Sequence, residues 1–465
     1  MAQVQPVDEK SRKYGIGDIR VWMAHGNVSA MSAGWGRALQ RVAEHPPPGP
    51  FRRRNWRSPI RGPWLTSVFG LVLLIGIPVV FLTGLLSYAA YNPGLGGAND
   101  LTPDKGILGF YLFDWPTEPL WLYRLTQGVH VTLGLVLVPV VLGKLWSVIP
   151  KLFDWPPFRS VAQLVERLSL VLLVGGIVFE MATGILNIQL FYEVLPFSFY
   201  TAHFYGAWVF MAAFVVHSGI RFGRMVGSLR SRSLAAELRT PTESTQPEPP
   251  DPDDLVSPDP APATMSRRGA LGLVGAGSLS LFLLSVGDTL GGPFRRLALL
   301  APRGHTHGEG ANDFPINKTA AERGIRPDET GPPWRLRLVN GPFTRVLSRE
   351  ELLDMELHTY ELPIACVEGW STSQTWTGVR LGDLARLTGA ADAAWVEVES
   401  LEREGTFRSA RLRGNQIFDR RSLLALQVNG EDLSLDHGFP ARVIVPANPG
   451  VHNTKWVSLM TFHDR

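Results

Sequence analysis

Four long apolar runs decide what this chain can be. Residues 64–91, 121–149, 161–191 and 199–222 each reach or exceed the ~20 residues a helix needs to cross ~30 Å of hydrocarbon. A fifth run, 270–290, is long enough but diluted by glycine and small residues. Inside a bilayer each backbone N–H must bond within its own segment, so such runs are read as helices. Loop charge sets their direction. The first 63 residues carry 11 Lys/Arg against 4 Asp/Glu, ending in Arg52, Arg53, Arg54, Arg57 and Arg61. The next loop, 92–120, has only Lys105 against Asp100, Asp104, Asp114 and Glu118. Lys151, Arg159 and Arg167 mark the following turn, and Arg221, Arg224, Arg230 and Arg232 follow the fourth run. Basic loops therefore alternate, as a chain weaving in and out of a membrane requires, with segment 1–63 on the cytoplasmic side. Topogenic charge accounts for the basic patches, and no nucleic-acid partner is expected.

Residues 228–265 read as a linker. Within them, 240–264 hold eight prolines and six acidic residues, the composition of an extended, disordered segment. Ser266-Arg267-Arg268-Gly269 then opens the fifth run, in segment 266–295. The paired arginines act as a positive-inside anchor and also resemble a twin-arginine export signal. The remaining residues, 310–465, change texture: strand-like runs at 334–339, 395–399, 441–445 and 456–462, helical ones at 348–355 and 381–388, with Gly, Pro and Asn between them. They are expected to form a mixed α+β domain with its own core, outside the cytoplasm. No internal sequence repeat is evident. The single cysteine excludes an intrachain disulfide, a Cys-only zinc site and an iron–sulfur cluster.

Three histidines lie inside the apolar runs, where ionisable side chains are costly and mark function. They are His130 in the second and His203 and His217 in the fourth. Fourteen residues separate the last two, a rotation within about 40° of whole turns and a rise of ~21 Å, so both rings share a face at different depths. A b-type haem takes two axial imidazoles from different helices at one depth. His130 and His203 both lie in the outer halves of their runs and can meet; Gly128, Gly134, Gly175, Gly176 and Gly206 allow close approach. The plainer alternative is that each histidine only bonds one helix to another. The pattern resembles the four-helix b-type cytochrome subunits of respiratory oxidoreductases, in which a fourth-helix pair at this spacing serves two haems. That resemblance covers 64–227 and implies haem iron on His130, His203 and His217. The first run, however, contains no histidine, so His217 lacks an imidazole partner. One haem, on His130 and His203, is the expectation, with two conceivable. Glu180 serves either proton transfer beside quinone or helix packing.

The lone Cys366 sits in Pro-Ile-Ala-Cys-Val-Glu-Gly-Trp-Ser. Taken alone it is either a small buried hydrophobe, a soft-metal ligand or a nucleophile with His358, His437 or His452 as partner. Its surroundings are more specific. Cys366-Val-Glu-Gly-Trp-Ser371 followed by Trp376-Thr-Gly-Val379, and His437-Gly-Phe-Pro-Ala-Arg442-Val-Ile-Val-Pro446 followed by Asn453-Thr-Lys-Trp456, resemble the molybdopterin-dependent oxidoreductases that include sulfite oxidases and the periplasmic methionine sulfoxide reductase catalytic subunit. The resemblance implies Cys366 as the thiolate ligand of molybdenum. It implies His437, Arg442, Asn453, Thr454 and Lys455 around the pterin and its phosphate, Ser400 as a further contact, and Asn312 or Asn317 at the pterin entrance. Sulfite oxidases follow the metal cysteine differently, with a Gly-Asn-Arg type run, so sulfite is not the first expectation.

The expected architecture is thus multi-domain: an all-α transmembrane bundle of four spans plus a fifth anchoring span, followed by a mixed α+β molybdopterin-binding domain. The expected function is membrane-bound molybdenum oxidoreduction outside the cytoplasm, of the oxygen-atom-transfer type. Electrons would exchange with quinone or quinol through haem b, and a small-molecule S- or N-oxide would be reduced. Alternatives are a dehydrogenase oxidising a small substrate such as sulfite, or a non-enzymatic membrane-anchored sensor or binding module.

Overall fold

The computed structural model of the chain describes residues 46–91, 113–155, 161–191, 194–404 and 407–464. Segment 1–45, most of the first loop with Lys105, Asp100 and Asp104, and Arg159 lie outside the described residues. The apolar runs form α1 (Pro63–Tyr91), α2 (Leu122–Leu152), α3 (Val161–Ile188) and α4 (Phe199–Ser231). Neighbouring helices touch in the ring α1–α2–α3–α4–α1, so α2 and α4 face each other across the bundle. A short α5 (Leu234–Arg239) precedes α6 (Arg267–Leu290), which packs outside the ring against α2. All five long helices are long and apolar enough to cross a membrane. Their outward faces expose large apolar side chains, among them Ile75 and Leu82 of α1, Leu142 of α2, Val171 of α3, Ile220 of α4 and Leu273 of α6. Such a belt is stable against lipid and unfavourable against water.

One end of the bundle is closed by the Pro/acidic segment, and here the structure departs from the sequence reading of disorder. The segment has almost no regular structure after α5, yet it is pinned by charge. Asp253 accepts from Arg221 at 2.7 Å and from Arg224 at 3.3 Å, Glu248 accepts the Trp64 N–H at 3.0 Å, and Leu255 is buried. Prolines keep the segment out of helix and sheet. Its carboxylates nevertheless meet the arginines at the helix ends, which composition alone does not reveal. Arg267 is 1% exposed and bonds Glu237 at 3.3 Å, while Arg268 is exposed. α4 also runs to Ser231, beyond the expected run 199–222, because no helix-breaking residue intervenes.

The opposite end carries the C-terminal domain of two sheets. One has the order β2–β1–β10–β5–β6, using β1 (Leu336–Asn340), β2 (Phe343–Leu347), β5 (Trp395–Ser400), β6 (Ser409–Arg413) and β10 (Val457–His463). The other runs β3 (His358–Ala365), β4 (Ser371–Arg380), β7 (Leu423–Val428) and β8 (Glu431–Asp432), with β9 (Arg442–Ile444) on β7. Helices α7 (Arg349–Leu353) and α8 (Leu381–Leu387) lie where the sequence placed them, α7 behind a Ser348/Glu351 capping box. The core gathers Leu336, Leu338, Val396, Val398, Leu424, Val443 and Met460, all essentially inaccessible. Burial alternates along β5, inward at Val396, Val398 and Ser400, as a period of two demands.

Candidate functional site

Between β3 and β4 the chain makes a tight turn, Cys366 to Trp370. The Cys366 N–H donates to the Trp370 carbonyl at 2.9 Å, and the Gly369 N–H donates to the Cys366 carbonyl at 3.0 Å. Gly369 has φ +98°, and a Cβ there would come within 2.9 Å of Val131 on α2. Glycine therefore satisfies both the left-handed backbone and the close approach to the bundle. Three hydrogen bonds staple the turn to the helices: Gln127 Nε2 to the Val367 carbonyl at 2.6 Å, Thr289 Oγ1 to the Gly369 carbonyl at 2.8 Å, and Ser371 Oγ to the Thr289 carbonyl at 2.5 Å. Glu368 is buried in a bidentate pair with Arg303 (3.0 and 2.8 Å) and accepts from Trp370 Nε1 at 2.8 Å. Cys366 itself is buried among Phe314, Ile364, Trp370 and Trp376. Burial pushes its thiol well above the ordinary range, and the Glu368 carboxylate adds to the shift.

The second motif folds into a buried, cationic cluster. Arg442, Lys455 and His437 are all at most 2% exposed. Arg442 lies over the Trp376 ring at 5.6 Å and donates to the His437 carbonyl at 3.3 Å. Lys455 donates to the carbonyls of Lys318 (2.8 Å) and Asp436 (2.7 Å). Burial lowers the basicity of all three groups: His437 to about 3, with Arg442 and Lys455 adding to the effect, and Arg442 to about 9. Lys455 is lowered by burial and then by Arg442 and Lys318. Like charges packed together away from water are the mark of an anion-binding site. Five buried polar atoms here have no hydrogen-bond partner among the described residues: Arg442 Nε, Asn448 Nδ2, His452 Nε2, Asn453 Nδ2 and Thr454 Oγ1. These five lie within residues 442–454, and other such atoms, among them Arg349 Nε, Arg380 Nε and Ser422 Oγ, lie elsewhere in the domain.

The sequence-derived residues divide. Asn453 uses its carbonyl oxygen on the Val445 N–H at 2.9 Å and keeps its amide nitrogen unpaired. Ser400 donates to the Lys455 carbonyl at 2.8 Å and so supports the cradle from behind. Asn312 spends its side chain on the Asp432 carbonyl (3.0 Å) and the Ser434 N–H (2.7 Å), and its own carbonyl lies 2.9 Å from His437 Nε2. Asn317 accepts from the N–H of Lys318 at 3.0 Å. Asn312 thus positions His437, whereas the Asn317 side chain makes a local bond only. The sequence singles out neither Asn448 nor Arg303, and offers His452 only as a candidate partner of a nucleophilic cysteine. Asn448 and His452 lie in the gap between the two halves of the motif, where only the fold shows what a loop faces.

The histidines of the bundle form a second constellation beneath the turn. The rings of His130 and His203 are 6.2 Å apart, centre to centre. His130 Nδ1 lies 2.9 Å from the Val80 carbonyl; His203 Nδ1 lies 2.9 Å from Thr183 Oγ1 and 3.0 Å from Glu180 Oε2. Each ring is therefore oriented through Nδ1, leaving Nε2 as the outward nitrogen, with Glu180 cast as an orienting partner. The two rings share a cavity of about 200 Å³ that Val367 also lines. His217 lines a separate cavity of about 520 Å³ toward the other end of the bundle.

Comparison with known proteins accords with the cluster's chemistry. Residues 324–465 match the family described as oxidoreductase molybdopterin binding domain. Similar proteins include the NADPH nitrate reductase of Pichia angusta, 38% identical over 21% of this chain and 12% of that protein. The mitochondrial sulfite oxidase of Drosophila melanogaster is 35% identical over 19% of this chain and 17% of that protein. The uncharacterized oxidoreductase YuiH of Bacillus subtilis is 32% identical over 28% of this chain and 65% of that protein. The chain thus spans less than two thirds of the length of each. Among solved structures, the sulfane dehydrogenase SoxCD of Paracoccus pantotrophus is 24% identical over 29% of this chain and 39% of that chain, with a TM-score of 0.27, too slight a likeness to carry an argument. Residues 324–465 thus carry an oxidoreductase molybdopterin binding domain. The residues fit the cofactor such domains hold. Unpaired donors and crowded cations suit a phosphate-bearing pterin, and a lone buried sulfur suits its metal.

Proposed function

We propose that this chain is a membrane-bound molybdenum oxidoreductase acting outside the cytoplasm, reducing an S- or N-oxide with electrons drawn from the quinone pool through haem b. One observation carries the reading: the cavity between His130 and His203 reaches Val367, the residue next to Cys366. Molybdopterin, when bound, supplies two-electron oxygen-atom transfer. The chain's part is to hold and isolate it. Cys366 offers an anionic sulfur, Arg442, Lys455, Asn453 and Thr454 offer donors, and Arg303 neutralises Glu368 beside the cysteine. The 6.2 Å separation of the imidazole centres also suits an iron between them, since metal–imidazole bonds of roughly 2 Å plus about 1 Å from each nitrogen to its ring centre call for about 6 Å. Gln127, which holds Val367, lies one helical turn from His130, so a haem there would sit close under the cysteine turn. A folded cofactor domain would also give Arg267-Arg268 meaning as an export signal.

Relatives named sulfite oxidase favour a second reading, the reverse direction with a small substrate such as sulfite as electron donor. A sensor without chemistry would have no need of a buried, unpaired anion cradle. The test is elemental and optical analysis of the detergent-purified protein: molybdenum and reducible haem b together, with haem lost in His130→Ala and His203→Ala. Colourless, metal-free protein overturns the proposal, and the two directions are distinguished by whether dimethyl sulfoxide reoxidises the dithionite-reduced haem or sulfite reduces the haem of the oxidised protein.

A further inference from the structure

The polar fittings of the His130/His203 cavity recur 14 residues along each helix, a step of ~21 Å that returns within about 40° of the same face. On α2, His130 becomes Lys144; on α4, His203 becomes His217. α1 runs the other way and repeats in reverse. The Val80 carbonyl, 2.9 Å from His130 Nδ1, becomes the Thr66 carbonyl, to which Lys144 Nζ donates at 2.8 Å. Gly84, where a Cβ would meet His130 Cε1 at 2.9 Å, becomes Gly70, where a Cβ would meet Lys144 Nζ at 3.1 Å. The sequence of α3 repeats as well, since Glu180 and Thr183 recur as Glu166 and Ser169. α1, α2 and α4 thus present the same positions twice, and the one change of ligand chemistry is an amine in place of an imidazole.

We propose that the inner cavity is a second haem site whose axial ligands are His217 and Lys144. This rests on reading the outer pair as haem ligands. Both side chains line the same cavity of about 520 Å³, walled by apolar residues such as Leu73, Leu173 and Phe214. α2 and α4 face each other across the ring, so their side chains approach one iron from opposite sides. An unprotonated lysine has a lone pair for the metal and keeps N–H groups to donate, which lets Thr66 orient it as Val80 orients His130. The mouth supplies the remaining requirement. Arg221, Arg224 and Lys151 stand around the Asp253 carboxylate at 2.7, 3.3 and 4.0 Å, a rim already shown to hold carboxylate and therefore suited to haem propionates.

The experiment is the haem content per chain of the full-length, detergent-purified protein, by pyridine haemochrome and by electron paramagnetic resonance of the oxidised state, with molybdenum content reporting an intact C-terminal domain. Two haems are expected. Lys144→Ala and His217→Ala should each leave one, with the outer signal unchanged, and His130→Ala should leave the inner one. Lys144→His should keep two haems while one low-spin signal moves to a bis-imidazole type. The proposal is overturned by one haem in the unaltered protein that Lys144→Ala and His217→Ala both retain, or by two haems with unchanged resonance in Lys144→Ala. Loss of both haems in Lys144→Ala that Lys144→His does not repair also counts against it. A protein free of haem, by contrast, removes the outer-pair reading itself.

Discussion

Single side chains carry the chemistry of this molecule because each sits where solvent cannot compensate for it. Cys366 is held by a turn whose shape depends on Gly369 and whose position depends on Gln127 and Thr289, residues far away in sequence. Cys366→Ser keeps the volume of the side chain but removes the soft anionic ligand. It is expected to abolish bound molybdenum, by elemental analysis, while the near-ultraviolet dichroism of the domain is retained; full occupancy in the variant would remove the cysteine from the metal. The cysteine and the motif around Arg442 were legible because their residue order is itself specific. His452 and Asn448 were not, since a loop's inward face is chosen by what packs over it, here Tyr91 of α1, whose ring lies 5.7 Å from that of His452. Lys144 was passed over for a related reason: it looks like any basic residue near a membrane edge until its 14-residue relation to His130 is placed on a helix with a cavity beside it.

At the level of elements, long apolar helices and the alternating strands were readable from period alone, as β5 and β10 show, because burial on one face imposes that period. β2, by contrast, exposes four of its five residues and leaves almost no hydrophobic signature. The Pro/acidic segment was misjudged, since disorder was inferred from composition whereas the partners lie on α4 and at the start of α1. The paired arginines that open α6 make a sharp test of these contacts. Arg267 is enclosed with Glu237 and Glu248, so Arg267→Ala leaves Glu237 to Arg232 and Glu248 to the Trp64 N–H and should cost roughly 1–3 kcal/mol of stability. Arg268→Ala, on an exposed residue, should stay within about 0.5 kcal/mol. Thermal unfolding of the two variants checks this directly, and equal effects would show that the ion pairs do not form. If the pair is also an export signal, both substitutions block translocation, a readout independent of stability.

Across the whole molecule the two halves are joined by contacts that only the folded chain has. Trp115 Nε1 donates to the Ala447 carbonyl at 2.7 Å, and Arg295 reaches both Asp288 (2.8 Å) and the Ser371 carbonyl (3.2 Å). The domain built on them should be sensitive to acid. His437 and His452 are lowered to about 3 and about 4 by burial, against the ordinary 6.5, so below that ordinary value the unfolded chain takes up protons that the folded one refuses. Stability from these groups is therefore complete above about pH 6.5 and declines as pH falls toward 4. Melting temperatures of the purified protein between pH 7 and 4.5 should fall, less steeply in His452→Asn; an identical slope would show that His452 ionises freely in the folded state. Sequence alone determined the number of long apolar helices, the presence of a separate α+β domain and the identity of the cysteine motif, because each is a local pattern of hydrophobicity or a fixed order of residues. Tertiary structure alone decided that the cysteine turn docks above the His130/His203 cavity, that the acidic segment closes the opposite end, and that Lys144 shares a cavity with His217. Those are relations between segments distant along the chain, set by packing and charge pairing in three dimensions.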